Sequence, residues 1–131
     1  MANAVVHFLS SDYFDVARET LDSHPGFTEA TRGVTLGVQF AVTDGPDGDV
    51  SYGLVVRSGA VDIALGQIEH PNVSITNDYA TAIGISRGEL NTQMAFINGR
   101  LRIEGDIAAL MRNQTLIQQF SSAMSEVEVT Y

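Results

Sequence analysis

The chain has 131 residues, with 16 acidic side chains against seven basic ones, a formal net charge of -9 with neutral histidines, no cysteine and no tryptophan. All seven basic residues are arginine (18, 32, 57, 87, 100, 102 and 112), which excludes a Walker lysine, a Schiff-base lysine and a polybasic lipid anchor, while the missing cysteines exclude thiolate chemistry. The acidity and lack of a basic run argue against a nucleic-acid partner, and the length suits one domain over residues 1–131.

The N-terminal stretch has no basic n-region and only a short apolar run, so it reads as a poor signal peptide. The longest apolar runs fall well short of the roughly 20 residues of a membrane span, and the reading is a cytoplasmic protein. Val129-Thr130-Tyr131 is not the Ser-Lys-Leu address. From Ser10-Ser11-Asp12 onward, Tyr13, Val16, Ala17 and Leu21 fall at helical spacing until His24-Pro25-Gly26 stops the helix. A short helical piece over 28–32 follows.

At Val34 the period becomes two: Val34, Leu36, Val38, Phe40 and Val42 alternate with polar and small residues. A Gly/Pro/Asp turn over 44–49 leads to Val50, Tyr52, Leu54 and Val56, and Ser58-Gly59 leads to Val61, Ile63 and Leu65. After His70-Pro71 a further strand spans 73–76. Four strands in succession predict an antiparallel meander with one wet face, carrying Thr, Gln, Ser, Arg, Asp and Glu. Helical spacing returns over 79–86, ending at Gly88, and again over 89–95. Asn98-Gly99 turns into a fifth strand around Leu101 and Ile103. Asp106 then caps one long helix over 107–124, with Ile107, Leu110, Met111, Ile117, Phe120 and Met124 on a single face. The sum is an α+β domain: a five-stranded, mainly antiparallel sheet covered on one face by helices.

Catalytic motifs are sparse. Gly84-Ile85-Ser86-Arg87-Gly88 fits G-x-S-x-G, but its serine ends a predicted helix and His7, His24 and His70 all precede it, against the order a hydrolase triad needs. Asp44, Asp47 and Asp49 lack the spacing and the final bidentate acid of a calcium loop, so they read as a solvated hairpin tip. The dispersed histidines form no H-E-x-x-H pair. The two Asn-x-Ser/Thr sequons at Asn72 and Asn113 carry no meaning without secretion. Tyr13, Tyr52 and Tyr79 could serve a steroid-isomerase-like Tyr/Asp chemistry, with no sequence signal converging them on a carboxylate. No metal, cofactor or catalytic residue is expected. What stands out is an apolar, flexible series on the late helices, Tyr79, Ile83, Leu90, Met94, Phe96, Met111, Phe120 and Met124, compatible with either a core or a hydrophobic ligand.

The block from residue 71 onward resembles the sterol carrier protein type-two family of lipid-binding domains. Pro71-Asn72-Val73-Ser74-Ile75-Thr76 and Asp78-Tyr79 contribute. The run Ala95-Phe96-Ile97-Asn98-Gly99-Arg100-Leu101-Arg102-Ile103-Glu104-Gly105-Asp106 is similar to the signature A-F-x-x-G-[KR]-[LI]-x-[IV]-x-G-D. The motif covers about 40 residues, and the order of elements covers the rest. Physically it is strand machinery: Gly99 supplies a positive φ, Leu101 and Ile103 face inward, and Gly105-Asp106 turn into and cap the last helix.

The resemblance implies helices on one sheet face around an apolar tunnel for fatty acids, acyl-CoA or sterol-like lipids, with Phe96 and the helical residues before it near the tunnel and the C-terminal helix closing it. Periodicity completes the expected ligand-binding set: Phe40, Leu54, Tyr79, Ile83, Leu90, Met94, Phe96, Leu110, Met111, Ile117 and Phe120. A dry cavity of about 300 Å³ would cost roughly 7 kcal/mol, so an occupied or collapsible one is expected. Arginines replace lysines common in the family, Asn91-Thr92-Gln93 stands where an Asp-Pro pair is frequent, and the net charge predicts weak or no docking on anionic membranes. The expectation is a non-catalytic carrier, monomer or homodimer, that hands its lipid to a partner such as an enzyme. A small isomerase or hydratase and an accessory scaffold for a lipid-metabolising enzyme are the alternatives.

Overall fold

The computed structural model describes residues 5–87 and 89–131, the side chains of Thr92 and Gln93 excepted. The expected helix stop at Gly88 and the first four residues lie outside the described residues.

Helix α1 (Ser11–Asp22) starts where Ser10 Oγ accepts the Tyr13 N–H at 3.2 Å, and it buries Tyr13, Phe14, Ala17 and Leu21 at the spacing of one face. His24 then does two jobs. The chain leaves α1 there, and His24 Nδ1 accepts the Phe27 N–H at 3.0 Å, so that α2 (Pro25–Ala30) begins three residues earlier than the sequence suggests. Proline at the first helical position lacks only an N–H that has no intrahelical partner.

The sheet contains β2 (Thr35–Gly45), β3 (Gly48–Arg57), β4 (Ala60–Leu65), β5 (Val73–Asp78) and β6 (Arg102–Gly105) in the order β4-β3-β2-β5-β6. The first three are the expected meander, but β5 lies parallel to β2 in the register Phe40↔Ile75. A parallel partner needs a crossover, and the 66–72 segment supplies it across the sheet face that alternation marks as wet. Gln39 makes this possible: its Nε2 donates to the carbonyls of Tyr52 (3.0 Å) and Gly66 (3.1 Å), and its Oε1 accepts the Ile68 N–H at 2.8 Å. Gly37 and Gly53 leave the space in which Ile68 lies; a Cβ on Gly53 would overlap Ile68 Cγ2.

Asp78 caps α3 (Tyr79–Ser86), its Oδ1 accepting the Thr81 N–H at 2.8 Å. Hydrogen bonding to Thr81, with a smaller contribution from Arg100, holds this carboxyl below the usual aspartate range. The folded-state value is depressed, so the cap's contribution is present above the unfolded-state pKa and lost as pH falls through the folded one. Asp78→Ala is expected to destabilise by about 1 kcal/mol at pH 7, a difference that shrinks in urea titrations run progressively below pH 4.

Helix α4 (Thr92–Ile97) begins later than its predicted start at Glu89, because the N–H groups of Glu89 and Leu90 both turn back to the Gly84 carbonyl at the end of α3. The predicted long helix is two: α5 (Ile107–Arg112), capped by Asp106, and α6 (Gln114–Met124). Asn113 breaks it. Its side-chain amide takes the Ala109 carbonyl at 2.8 Å, while its own N–H bonds to Leu110 instead, the competition that makes asparagine a poor helix-interior residue. Two-residue strands β1 (Val6–His7) and β7 (Val129–Thr130) pair in parallel, too short to leave a periodic signal.

Helices α1, α3, α5 and α6 contact the inner sheet face or one another around a core that includes Phe14, Phe27, Leu36, Leu54, Ile63 and Leu116. Among the described residues, no helix is long and apolar enough to cross a membrane.

Candidate ligand cavity

Between the inner sheet face and the helices lies a cavity of about 110 Å³. The sheet supplies Phe40, Tyr52, Ile63 and Ile75; α3 supplies Ala82 and Ile85; α6 supplies Ile117, Phe120 and Met124; Phe8, Tyr13 and Leu101 complete the apolar wall. Asn77, Ser86, Ser121 and Ser125 are its polar members.

The aromatic residues form a connected wall. Phe40 stacks on Tyr52 with ring centroids 4.7 Å apart and on Phe120 at 5.9 Å, and Phe14 backs Tyr52 at 4.9 Å. Cross-strand register creates the first pair directly, since Phe40 and Tyr52 are opposite each other on β2 and β3. The Tyr13 hydroxyl reaches Met124 Sδ at 3.8 Å. Burial pushes the phenols of Tyr13 and Tyr52 up, so both remain neutral donors at physiological pH. Among the described residues, the lining contains no aspartate or glutamate. The chamber can therefore bury an apolar body and offer hydroxyls to its polar end; a tyrosine facing a carboxylate is not among its features.

Of the residues expected to bind ligand, Phe40, Ile117 and Phe120 line this cavity. Leu54 is fully buried in the core behind it, and Ile83, Leu90 and Leu110 pack partly buried against that core. Tyr79 lines a separate, smaller space. Met94, Phe96 and Met111 are exposed, at 50%, 46% and 62%. Met94 and Phe96 lie on α4 and Met111 on α5, six-residue helices that do not form the continuous apolar stripes the spacing suggests. Tyr52, Ile63 and Ile75 share the alternation that singled out Phe40, so strand periodicity held that information. Phe8 left no such trace, because its place depends on the β1–β7 pairing.

The serine of the G-x-S-x-G match bonds to Tyr131 Oη at 2.8 Å, and Arg87 stacks over the same ring with its Cζ 4.5 Å from the centroid. His7 lies 3.8 Å from Asp47 and His24 caps α2, so neither stands beside Ser86 as a base.

The profile of the SCP-2 sterol transfer family matches residues 19–118. The chain belongs to that family. The chicken (Gallus gallus) protein named sterol carrier protein 2 is 28% identical over 78 residues, 59% of this chain; the chain spans only 14% of that relative's length. A crystal structure of sterol carrier protein 2 superposes with a TM-score of 0.78 at 21% identity, covering 92% of this chain and 99% of the other. The solution structure of a conserved hypothetical protein from Thermus thermophilus gives 0.76 at 20% identity, covering 98% and 94%.

Members of this family are described by sterol transfer. Their signature does structural work in this chain. Gly99 has φ +75°, and the Arg100 and Leu101 N–H groups close on the Ala95 carbonyl. Leu101, turned inward by that closure, forms part of the cavity wall.

Proposed function

We propose that this chain is a non-catalytic carrier that takes up a fatty acid, acyl-CoA or sterol-like lipid reversibly in the apolar cavity. Residues 1–131 act as one such module, and the cargo is presented to a partner protein. The observation that carries this reading is the cavity wall itself: every element that lines it contributes an aromatic or aliphatic side chain, its polar members are one asparagine and three serines, and among the described residues no carboxylate lines it. Each buried methylene would contribute about 0.8 kcal/mol. Volume defines what must follow. An apolar cavity of about 150 Å³ admits a single benzene, so a cavity of about 110 Å³ must open further to accept a long chain. Leaving it dry costs only roughly 3 kcal/mol, far less than a full-length empty tunnel would. The net charge of -9 opposes docking on anionic bilayers and favours delivery to a protein.

Ile117→Trp tests the reading, because it fills the cavity with an indole. Binding of a fluorescent fatty acid is expected to weaken at least tenfold without loss of the cooperative unfolding transition. Met111→Trp, on the exposed side of α5, is expected to leave binding unchanged. Failure of the unmodified protein to bind fatty acid, fatty alcohol or sterol probes at micromolar concentration would refute the proposal.

A further inference from the structure

A second space of about 100 Å³ lies between β1 and the tip of the β2–β3 hairpin, with His7, Leu9, Asp47 and Tyr79 among its lining residues. One residue, Phe8, lines both this space and the main cavity. Its ring meets Tyr13, a main-cavity residue, edge-on at 5.3 Å and Tyr79, a second-space residue, at 6.0 Å. Phe8 is thus a partition one side chain thick. Its backbone tether is also slight. The Phe8 N–H bonds to the Thr130 carbonyl in a two-residue strand pair, and Leu9 immediately leaves the extended conformation at φ +65°. Short, isolated pairings of this kind open at low free energy.

The second observation concerns Tyr79. Its hydroxyl is buried and has no hydrogen-bond partner among the described residues. Buried polar groups without partners are uncommon in native proteins and costly to keep. A hydrogen-bond donor kept dry beside an apolar cavity has the character of a ligand contact. Burial, with the nearby Tyr131 and Asp47, pushes its pKa up, so it stays a donor. Asp47 also selects the acceptor: its carboxylate, with its side chain 85% exposed and 3.8 Å from His7 Nε2, disfavours a second negative charge in the same space.

We propose that the two spaces are the halves of one tunnel gated by Phe8, and that the half beside Tyr79 receives the uncharged polar head, a hydroxyl or carbonyl, of a long-chain lipid. The tail occupies the main cavity, the Phe8 ring turns aside, and the Tyr79 hydroxyl donates to the head. This inference rests on the carrier reading above and specifies the chemistry of its ligand.

The test is competition against a bound fluorescent fatty acid, with 1-hexadecanol, palmitate and hexadecane delivered from cyclodextrin. The unmodified protein is expected to prefer 1-hexadecanol to hexadecane by about tenfold, and to palmitate as well. Tyr79→Phe is expected to lose five- to tenfold for 1-hexadecanol and nothing for hexadecane. Its melting temperature should not fall, because no hydrogen bond among the described residues is removed. Phe8→Trp, which thickens the partition, is expected to weaken 1-hexadecanol at least tenfold without loss of the cooperative unfolding transition. An unchanged hexadecanol-to-hexadecane ratio in Tyr79→Phe, or a preference for palmitate, would overturn the inference while leaving the carrier reading intact. Absence of binding by all three ligands and the fluorescent probe would overturn both.

Discussion

Gly105→Ala is expected to destabilise the protein by about 3–5 kcal/mol, a large share of the roughly 5–15 kcal/mol that holds a domain of this size together. Two effects combine. Gly105 sits at φ +106°, where a β-carbon is strained, and an added Cβ would stand 2.6 Å from the backbone oxygen of Asn72 and 3.2 Å from Val73 Cα. Neither neighbour is a side chain that can swing away. Relief would require β6 to withdraw from β5, breaking the Gly105↔Val73 pairing and the 2.8 Å bond from the Asp106 N–H to the Asn72 carbonyl. Gly33→Ala separates the contributions: its φ is +68°, but nothing lies within 4 Å of the added carbon, so only the conformational part, about 1 kcal/mol, is expected. Urea denaturation of the two variants measures both. Equal losses would show that contact with the Asn72 backbone is not what makes this glycine necessary.

Gln39→Ala should lower stability by about 2–3 kcal/mol. Gln39 is 8% exposed on the sheet face opposite the helices, and its side chain supplies the bonds to the Gly66 carbonyl and the Ile68 N–H that hold the crossover against the strands. Its removal leaves those two groups without these partners under a covered surface. The effect should extend to the cavity, since Gln39 also binds the carbonyl of Tyr52 and lies next to Phe40, two residues of the wall. Hydrogen exchange at the Ile68 amide is expected to quicken by more than tenfold in the variant. A stability change below about 0.5 kcal/mol, typical of ordinary surface substitutions, would mean that the crossover is held by Ile68 packing and the Asn72–Gly37 bonds instead.

The ranges of these effects explain what could be read in advance. Alternation from Val34 to Leu65 is a local property of the pleat, and it placed β2, β3 and β4 and their inward faces correctly. Capping chemistry is equally local: Ser10, Asp78 and Asp106 start helices where such side chains should. The signature from Ala95 to Asp106 was legible because turn glycines, an inward pair and a cap occur at fixed spacing. Of the cavity, Phe40, Ile117 and Phe120 could be named because each lies on an element whose period is clear.

Residues whose role arises between elements were not legible in the same way. Gln39 looked like one polar member of a wet face, and only the parallel placement of β5 turns it into the anchor of a crossover. Asn113 reads in the sequence only as part of a sequon inside one long predicted helix, yet its side-chain bond to the Ala109 carbonyl divides that helix. By itself, the sequence determined the strand faces, the caps, the acidic surface and the family, because each is written in short-range spacing or composition. The tertiary structure decided the strand order, the covering of the second face, the cavity wall and the partition at Phe8, because these depend on which distant segments meet, and a two-residue strand or a single carboxamide bond has no period to announce it.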